Sequence, residues 1–184
     1  MATNTFVEAD IWTVAQTDQG NVVLVRPKGS ELAVPIFIGQ LETQSILIGL
    51  GRVEVPRPLT HDLFLSTIKA LGAELTRIEI NDLRDGTFFA RLILARGEET
   101  LTVDARPSDA VAAAVRAGCP VFIAEAIVEE AGISVNLVSE SSRLETSGSE
   151  DEKERLRKEL EEAIGEEDYE RAARIRDKLK ALEG

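Results

Sequence analysis

The sequence predicts an α+β fold: a mixed-sheet domain built from two β-β-α-like units, followed by a C-terminal α-helical hairpin. Three observations predict it. Residues 21–50 (NVVLVRPKGSELAVPIFIGQLETQSILIGL) and 88–117 (FFARLILARGEETLTVDARPSDAVAAAVRA) share one strand–turn–strand–helix layout. Composition breaks once, at the Ser/Glu-rich stretch SESSRLETSGSEDE (139–152). Beyond it, apolar residues recur at helical spacing from Leu156 to Leu182. The boundaries expected are a domain over 1–138, a flexible linker over 139–152 and a hairpin over 153–184.

The elements follow in order. Alternating apolar residues place strands at 6–14, 21–27 and 31–38. A helix fits 40–51, with Leu41, Ile46 and Ile48 to Leu50 as its apolar positions. A second helix fits 61–71, with Thr60 as N-cap and Gly72 as its stop. Strands follow at 74–81, 87–96 and 99–105, the first two joined by the tight-turn pair Asp85-Gly86. A third helix spans 108–117, then a strand 120–124 and a short helix 125–131. Aligned on their helices, the two units match Ile36 with Val103, Ile38 with Ala105 and Glu42 with Asp109. Duplication explains this match; chance similarity of two amphipathic units explains it too.

Charge narrows the function. The net charge is −12 over 184 residues. Residues 1–138 hold 18 acidic and 11 basic side chains, and residues 139–184 hold 15 and 10. Nucleic-acid binders neutralise phosphates with Lys and Arg. A chain this acidic needs a local basic patch or metal ions to do so. The single Cys119 forms no internal disulfide and fits a reducing, cytoplasmic setting. The N-terminal stretch MATNTFVEAD lacks a secretory pattern, and the apolar runs are too short to span a bilayer, so no membrane partner is expected. Among motifs, the P-loop, GxGxxG, CxxC, the nucleophile elbow and HExxH are missing. That argues against nucleotide kinase, dehydrogenase, redox, esterase and zinc-protease chemistry.

Two proline corners carry the candidate chemistry. The first is Asp104-Ala105-Arg106-Pro107-Ser108-Asp109, where a strand feeds a helix N-terminus. Unpaired N–H groups there favour anions. Arg106 suits a bidentate phosphate contact, and Ser108 a further one. Asp104 and Asp109 offer oxygen ligands for a divalent cation such as Mg or Mn, which would activate water and neutralise charge on a phosphodiester. The plainer alternative is that Ser108 or Asp109 caps the helix while Arg106 pairs with Asp104. The second corner is Arg57-Pro58-Leu59-Thr60-His61-Asp62. His61 is the only histidine and has the chemistry of a general acid or base, or else of a histidine beside a helix cap. Arg57 would bind substrate. Glu42, Asp62 and Asp82 extend the candidate metal set; Glu42 also fits an ordinary helix-dipole role.

Four strings together, VPIFIGQLETQSI (34–46), RPLTHDL (57–63), INDLRDGTFFARL (80–92) and DARPSDAVAAAVRAG (104–118), resemble the bifunctional nuclease family, whose members are described as acting on both DNA and RNA. The resemblance covers roughly residues 6–135. It implies phosphodiester hydrolysis, with DNA and RNA as substrates. The tail KERLRKELEEAIGEEDYERAARIRDKLKALEG (153–184) resembles the UvrB/UvrC motif, a helical hairpin that mediates protein contact. Leu156, Leu160, Ala163 and Ile164 form one apolar stripe; Tyr169, Ala172, Ala173, Ile175, Leu179 and Leu182 form another. So short a hairpin buries little by itself, so Leu160, Tyr169, Ala172, Ala173, Ile175 and Leu179 are expected to dock. The partner is a second copy, giving a homo-oligomer, or another protein; a tail packed on its own domain is the plainer reading. The alternative to a nuclease is a non-catalytic adaptor or regulatory module in DNA repair or stress response.

Overall fold

The computed structural model describes residues 5–135, together with 156, 158–160, 175, 176 and 178 in the tail. The chain divides into two compact units, Met1–Val135 and Asn136–Gly184. In the first unit the elements run β1 (Phe6–Thr17), β2 (Gly20–Pro27), β3 (Leu32–Ile38), α1 (Gln40–Leu50), α2 (Thr60–Ala70), β4 (Glu74–Arg84), β5 (Thr87–Arg96), β6 (Glu99–Ala105), α3 (Pro107–Ala117), β7 (Val121–Ala124), α4 (Glu125–Ala131) and β8 (Ile133–Ser134). They form one eight-stranded sheet in the order β6-β5-β4-β7-β1-β2-β3-β8. β4 and β7 pair in parallel, and the other described pairings are antiparallel. The class is therefore α+β with a mixed sheet, as the sequence predicts.

The repeated unit is larger than the sequence suggests. Each copy is a three-strand meander and a helix: β1-β2-β3-α1 and β4-β5-β6-α3, with α2 inserted between them and β7 joining the halves. β1 and β4 run longer than expected, β1 bent by one register shift at Ile11/Thr13 and β4 by two, at Leu75/Arg77 and Ile80/Asp82. Asp85 and Gly86 both take positive φ, 49° and 75°, which is the backbone a two-residue hairpin turn requires. β8, a two-residue strand, carries no periodic signal and is missed by sequence reading.

The core explains why α3 is alanine-rich. Ala110 to Ala114 are fully buried, packed against Leu92 and Leu94 of β5 and Ile78 and Ile80 of β4. Small side chains let α1 and α2 approach α3 closely. A Cβ added at Gly49 of α1 would sit 2.5 Å from Val115 Cγ2, so this glycine sets the closeness of α1 and α3. Pro107 opens α3 at the position where a missing N–H costs nothing, and Gly118 ends it at φ 68°. Burial pushes the Cys119 thiol up to about 11, which disfavours its thiolate at neutral pH.

Two expectations are corrected. Leu59, not Thr60, is the N-cap of α2; Asp62 accepts a bond from the Leu59 N–H at 2.9 Å in its place. Of the apolar positions expected to face inward from α1, Ile46 and Gly49 do so, whereas Leu41 is 78% exposed and Leu50 is also exposed. Leu47 of α1 and Leu63 and Leu71 of α2 and its end add to this outward apolar surface.

On the sheet face away from these helices, Glu79 is 4% exposed and lies between two arginines. It accepts from Arg77 Nε at 2.7 Å and from Arg91 Nε at 2.6 Å. Burial, the largest single influence, pushes its pKa up; the two guanidinium bonds and their charges together outweigh it and hold the carboxyl below its usual value. A lowered folded-state pKa stabilises above the unfolded value and loses that contribution as pH falls through the folded one. Glu79→Gln is therefore expected to destabilise by about 1–3 kcal/mol at pH 7 and to lose less stability than the parent on acidification below pH 4.5. Urea denaturation at pH 7 and at pH 4 checks both.

In the second unit the described tail residues are helical, and Ile175 is buried against Leu156 and Leu160. Leu160 and Ile175 thus meet within the unit. Tyr169, Ala172, Ala173 and Leu179, like the linker 139–152, lie outside the described residues. No helix among the described residues is long and apolar enough to cross a membrane.

Candidate functional site

The N-termini of three helices meet at one groove. Gln40, Thr60 and Pro107 begin α1, α2 and α3, and each helix carries a carboxylate at its third position: Glu42, Asp62 and Asp109. The site grows from Arg106, the residue that turns β6 into α3. Its Nε and Nη2 donate to the two oxygens of Asp109 at 2.8 and 3.2 Å, and its Nη1 donates to Glu42 Oε1 at 2.9 Å. Arg106 therefore ties together the repeat-mates Glu42 and Asp109. These bonds, that to Asp109 first, raise its pKa further. Its side chain remains 66% exposed, so N–H groups still face solvent.

The first repeat has glycine where the second has Arg106. A Cβ at Gly39 would collide with the Glu42 carboxylate, so the glycine gives Glu42 room to fold back toward Arg106.

His61 completes the cluster from α2. Its Nδ1 lies 2.9 Å from Ser45 Oγ of α1, and its Nε2 lies 3.5 Å from Asp109 Oδ1. The open groove, about 690 Å³, is lined by Leu41, Glu42, Ser45, Pro58, His61, Arg106 and Asp109 among others. A smaller hollow of about 320 Å³ shares Glu42 and Arg106 and reaches Ser108, Thr87 and Phe88. Arg106 stands at both.

The structure thus brings Glu42, His61, Arg106 and Asp109 together and sets both proline corners beside one groove. Ser108, 7% exposed, lies in the neighbouring hollow and does not cap α3, whose N-cap residue is Arg106. Arg57 is exposed, one residue before the groove-lining Pro58.

Three expected members stand elsewhere. Asp104 pairs across the sheet with Arg91, and strand alternation turns it to the face opposite Leu101 and Ala105, which pack on the core beneath the helices. Arg106 accordingly pairs with Asp109 and not with Asp104. Asp62 turns away from the groove, accepting from Arg116 Nε at 3.0 Å as well as from the Leu59 N–H. Asp82 is held by Arg84 and by the Leu83 N–H.

These pairings bear on the divalent cation. Glu42 and Asp109 share the one positive charge of Arg106, Asp62 pairs with Arg116 and Asp82 with Arg84. Among the described residues no three His, Cys, Asp or Glu side chains converge as a metal-holding group. Of the carboxylates expected to hold magnesium or manganese, Glu42, Asp109, Asp62 and Asp82 each contact a guanidinium and Asp104 lies on the other face of the sheet, so the five do not converge as one ligand set.

Sequence reading missed Ser45 and Arg116. Ser45 sits inside a helix, within the string VPIFIGQLETQSI, and no chemistry-bearing pattern of residues singles it out there. Arg116 sits 54 residues from its partner Asp62 and is 7% exposed.

An α+β domain of two meander–helix units, with a charged groove where three helices begin, is the class of protein that the fold and site define. The family model for the bifunctional nuclease domain matches residues 22–136, and that for the UvrB/uvrC motif matches 150–184. The chain belongs to the bifunctional nuclease domain family and carries a UvrB/uvrC motif after that domain. It is 40% identical over 156 residues to an uncharacterised protein of Mycobacterium tuberculosis, covering 85% of this chain and 92% of that one. It is 25% identical over 177 residues to bifunctional nuclease 1 of Arabidopsis thaliana, covering 86% of this chain and 54% of that one. It is 27% identical over 117 residues to bifunctional nuclease 1 of Oryza sativa subsp. japonica, covering 62% and 35%. The chain therefore spans about half or less of the plant proteins' length.

Proposed function

We propose that the chain hydrolyses phosphodiester bonds in DNA and RNA at the three-helix groove, and that its tail docks a protein partner. The observation that carries this reading is the convergence of Arg106, Asp109, Glu42 and His61 from three helices on one open groove. Arg106 orients the phosphate through its outward N–H groups. Glu42 and Asp109 hold the guanidinium in one pose, so little ordering is needed when substrate arrives. His61 moves the proton between attacking and leaving oxygens. Arg57 adds a phosphate contact beside Pro58. The groove requires no resident cation for these roles, and a chelator tests whether one enters with substrate. The outward leucines of α1 and α2 support self-association of the first unit.

Plasmid DNA and RNA cleavage by matched preparations of the parent, Asp109→Asn and Asp104→Asn, with and without chelator, tests the reading. Asp109→Asn is expected to lose about 10²-fold or more, because Arg106 and His61 both lose their anchor. Asp104→Asn, on the far face of the sheet, is expected to cleave like the parent. Equal cleavage by all three would remove the groove from the chemistry.

A second reading has its own support. Arg106 is shared between two carboxylates, and the net charge is −12. The cluster then staples α1 to α3, and the chain works as an adaptor through its tail. Absence of cleavage by the parent in the same assay, with the chain folded, selects it.

A further inference from the structure

Three helices place Ser45, His61 and Asp109 in line. Ser45 Oγ lies 2.9 Å from His61 Nδ1, and Asp109 Oδ1 lies 3.5 Å from His61 Nε2, longer than a hydrogen bond but within charge contact. A carboxylate only accepts, whereas a hydroxyl both donates and accepts. Both contacts are favourable when Nε2 carries the imidazole proton toward Asp109 and Nδ1 accepts from the Ser45 hydroxyl. The His61 side chain is 18% exposed and its ring is gripped on both sides, so it has little freedom to turn. Asp109 is itself fixed by two bonds from Arg106. The result is hydroxyl, imidazole and carboxylate in sequence, with a guanidinium behind the carboxylate. Nucleophile–base–orienter arrangements are recognised by geometry and roles, whatever the residue order.

We infer that Ser45 is a base-activated nucleophile for phosphoryl centres, with His61 as its base and Asp109 as the group that orients and charge-stabilises the imidazole. The choice of a phosphodiester as substrate rests on the proposed nuclease reading; the activation of Ser45 does not. In the first step Ser45 Oγ bonds to phosphorus while its proton passes to His61 Nδ1. The ester bond to the departing nucleoside breaks, and its oxygen takes that proton. In the second step water attacks phosphorus and gives a proton to Nδ1. The bond from phosphorus to Oγ breaks, and Ser45 recovers the proton. One water is consumed, and one diester becomes a monoester and an alcohol.

Ser45 and Arg106 line the same groove, so a phosphate beside the hydroxyl also faces the guanidinium. Thr43, two residues earlier on α1, lies on a different side of the helix, and its hydroxyl donates to the Gly39 carbonyl at 2.9 Å.

Diisopropyl fluorophosphate tests this directly, because a base-activated serine displaces its fluoride and keeps the phosphoryl group. The full chain is incubated with excess reagent, digested and read by mass spectrometry, beside Ser45→Ala, His61→Asn and the parent's cleavage of DNA. The expected result is one diisopropylphosphoryl group on the peptide containing Ser45, absent in Ser45→Ala and reduced at least tenfold in His61→Asn. Circular dichroism confirms that each variant folds. Since His61 is the only histidine, the imidazole ¹⁵N shifts also report the Nε2–H form without assignment. Labelling at Ser45 without DNA cleavage would keep the nucleophile and remove the nuclease reading. Cleavage that persists in Ser45→Ala, with the parent unlabelled, would remove the nucleophile and keep the nuclease reading.

Discussion

His61→Asn is expected to lower DNA and RNA cleavage by about 10²–10⁴-fold, the range by which a positioned acid–base group accelerates a reaction. At about 1.4 kcal/mol per tenfold, that is a loss of about 3–5 kcal/mol of transition-state stabilisation. Asparagine is polar and smaller, so it fits the space between Ser45 and Asp109 but neither takes up nor releases a proton at neutral pH. Stability is expected to change by no more than about 1 kcal/mol, because the ring sits at a groove and not in the core. Initial-rate cleavage and a thermal melt of the same preparations separate the two effects. Unchanged turnover would remove His61 from the reaction.

Ile46→Ala is expected to destabilise the first unit by about 2–5 kcal/mol, the usual range for truncating a buried aliphatic residue. Ile46 is the one α1 side chain that is fully buried; Leu41, Leu47 and Leu50 face outward. Few anchors hold α1 down, so the cavity falls where the helix has little else to grip. α1 also carries Glu42 and Ser45, and loosening it frees the partners of Arg106 and His61. The variant is therefore expected to lose cleavage by more than its folded fraction explains. Urea denaturation and activity at matched folded concentration check this. A stability within about 0.5 kcal/mol of the parent, the range typical of surface changes, would contradict the packing account.

How much was legible follows from which physical signals are local. Asp85-Gly86 and Pro107…Gly118 announce a turn and a helix because their backbone needs are written in the residue type. The match of Glu42 to Asp109 was also legible, since two similar units carry a carboxylate at the same helical position, and one arginine joins them. The fate of Asp104 was not. It is five residues from Asp109, yet strand alternation sends it to the other face before the chain turns at Arg106. Sequence proximity at a strand-to-helix corner does not mean a shared side. The partners of Asp62 and His61 were hidden because they come from other helices, Arg116 from α3 and Ser45 from α1. The outward face of α1 was hidden for a different reason: a helix apolar on most sides does not say which side faces the sheet.

The central claim is that the groove where α1, α2 and α3 begin is where nucleic acid is handled. An NMR titration of the ¹⁵N-labelled chain with a short single-stranded oligonucleotide tests it most directly. Shifts are expected to be confined to residues around Glu42, Ser45, His61, Arg106 and Asp109, and to be lost in Arg106→Ala. Shifts centred instead on Arg91 and Asp104, across the sheet, would contradict it.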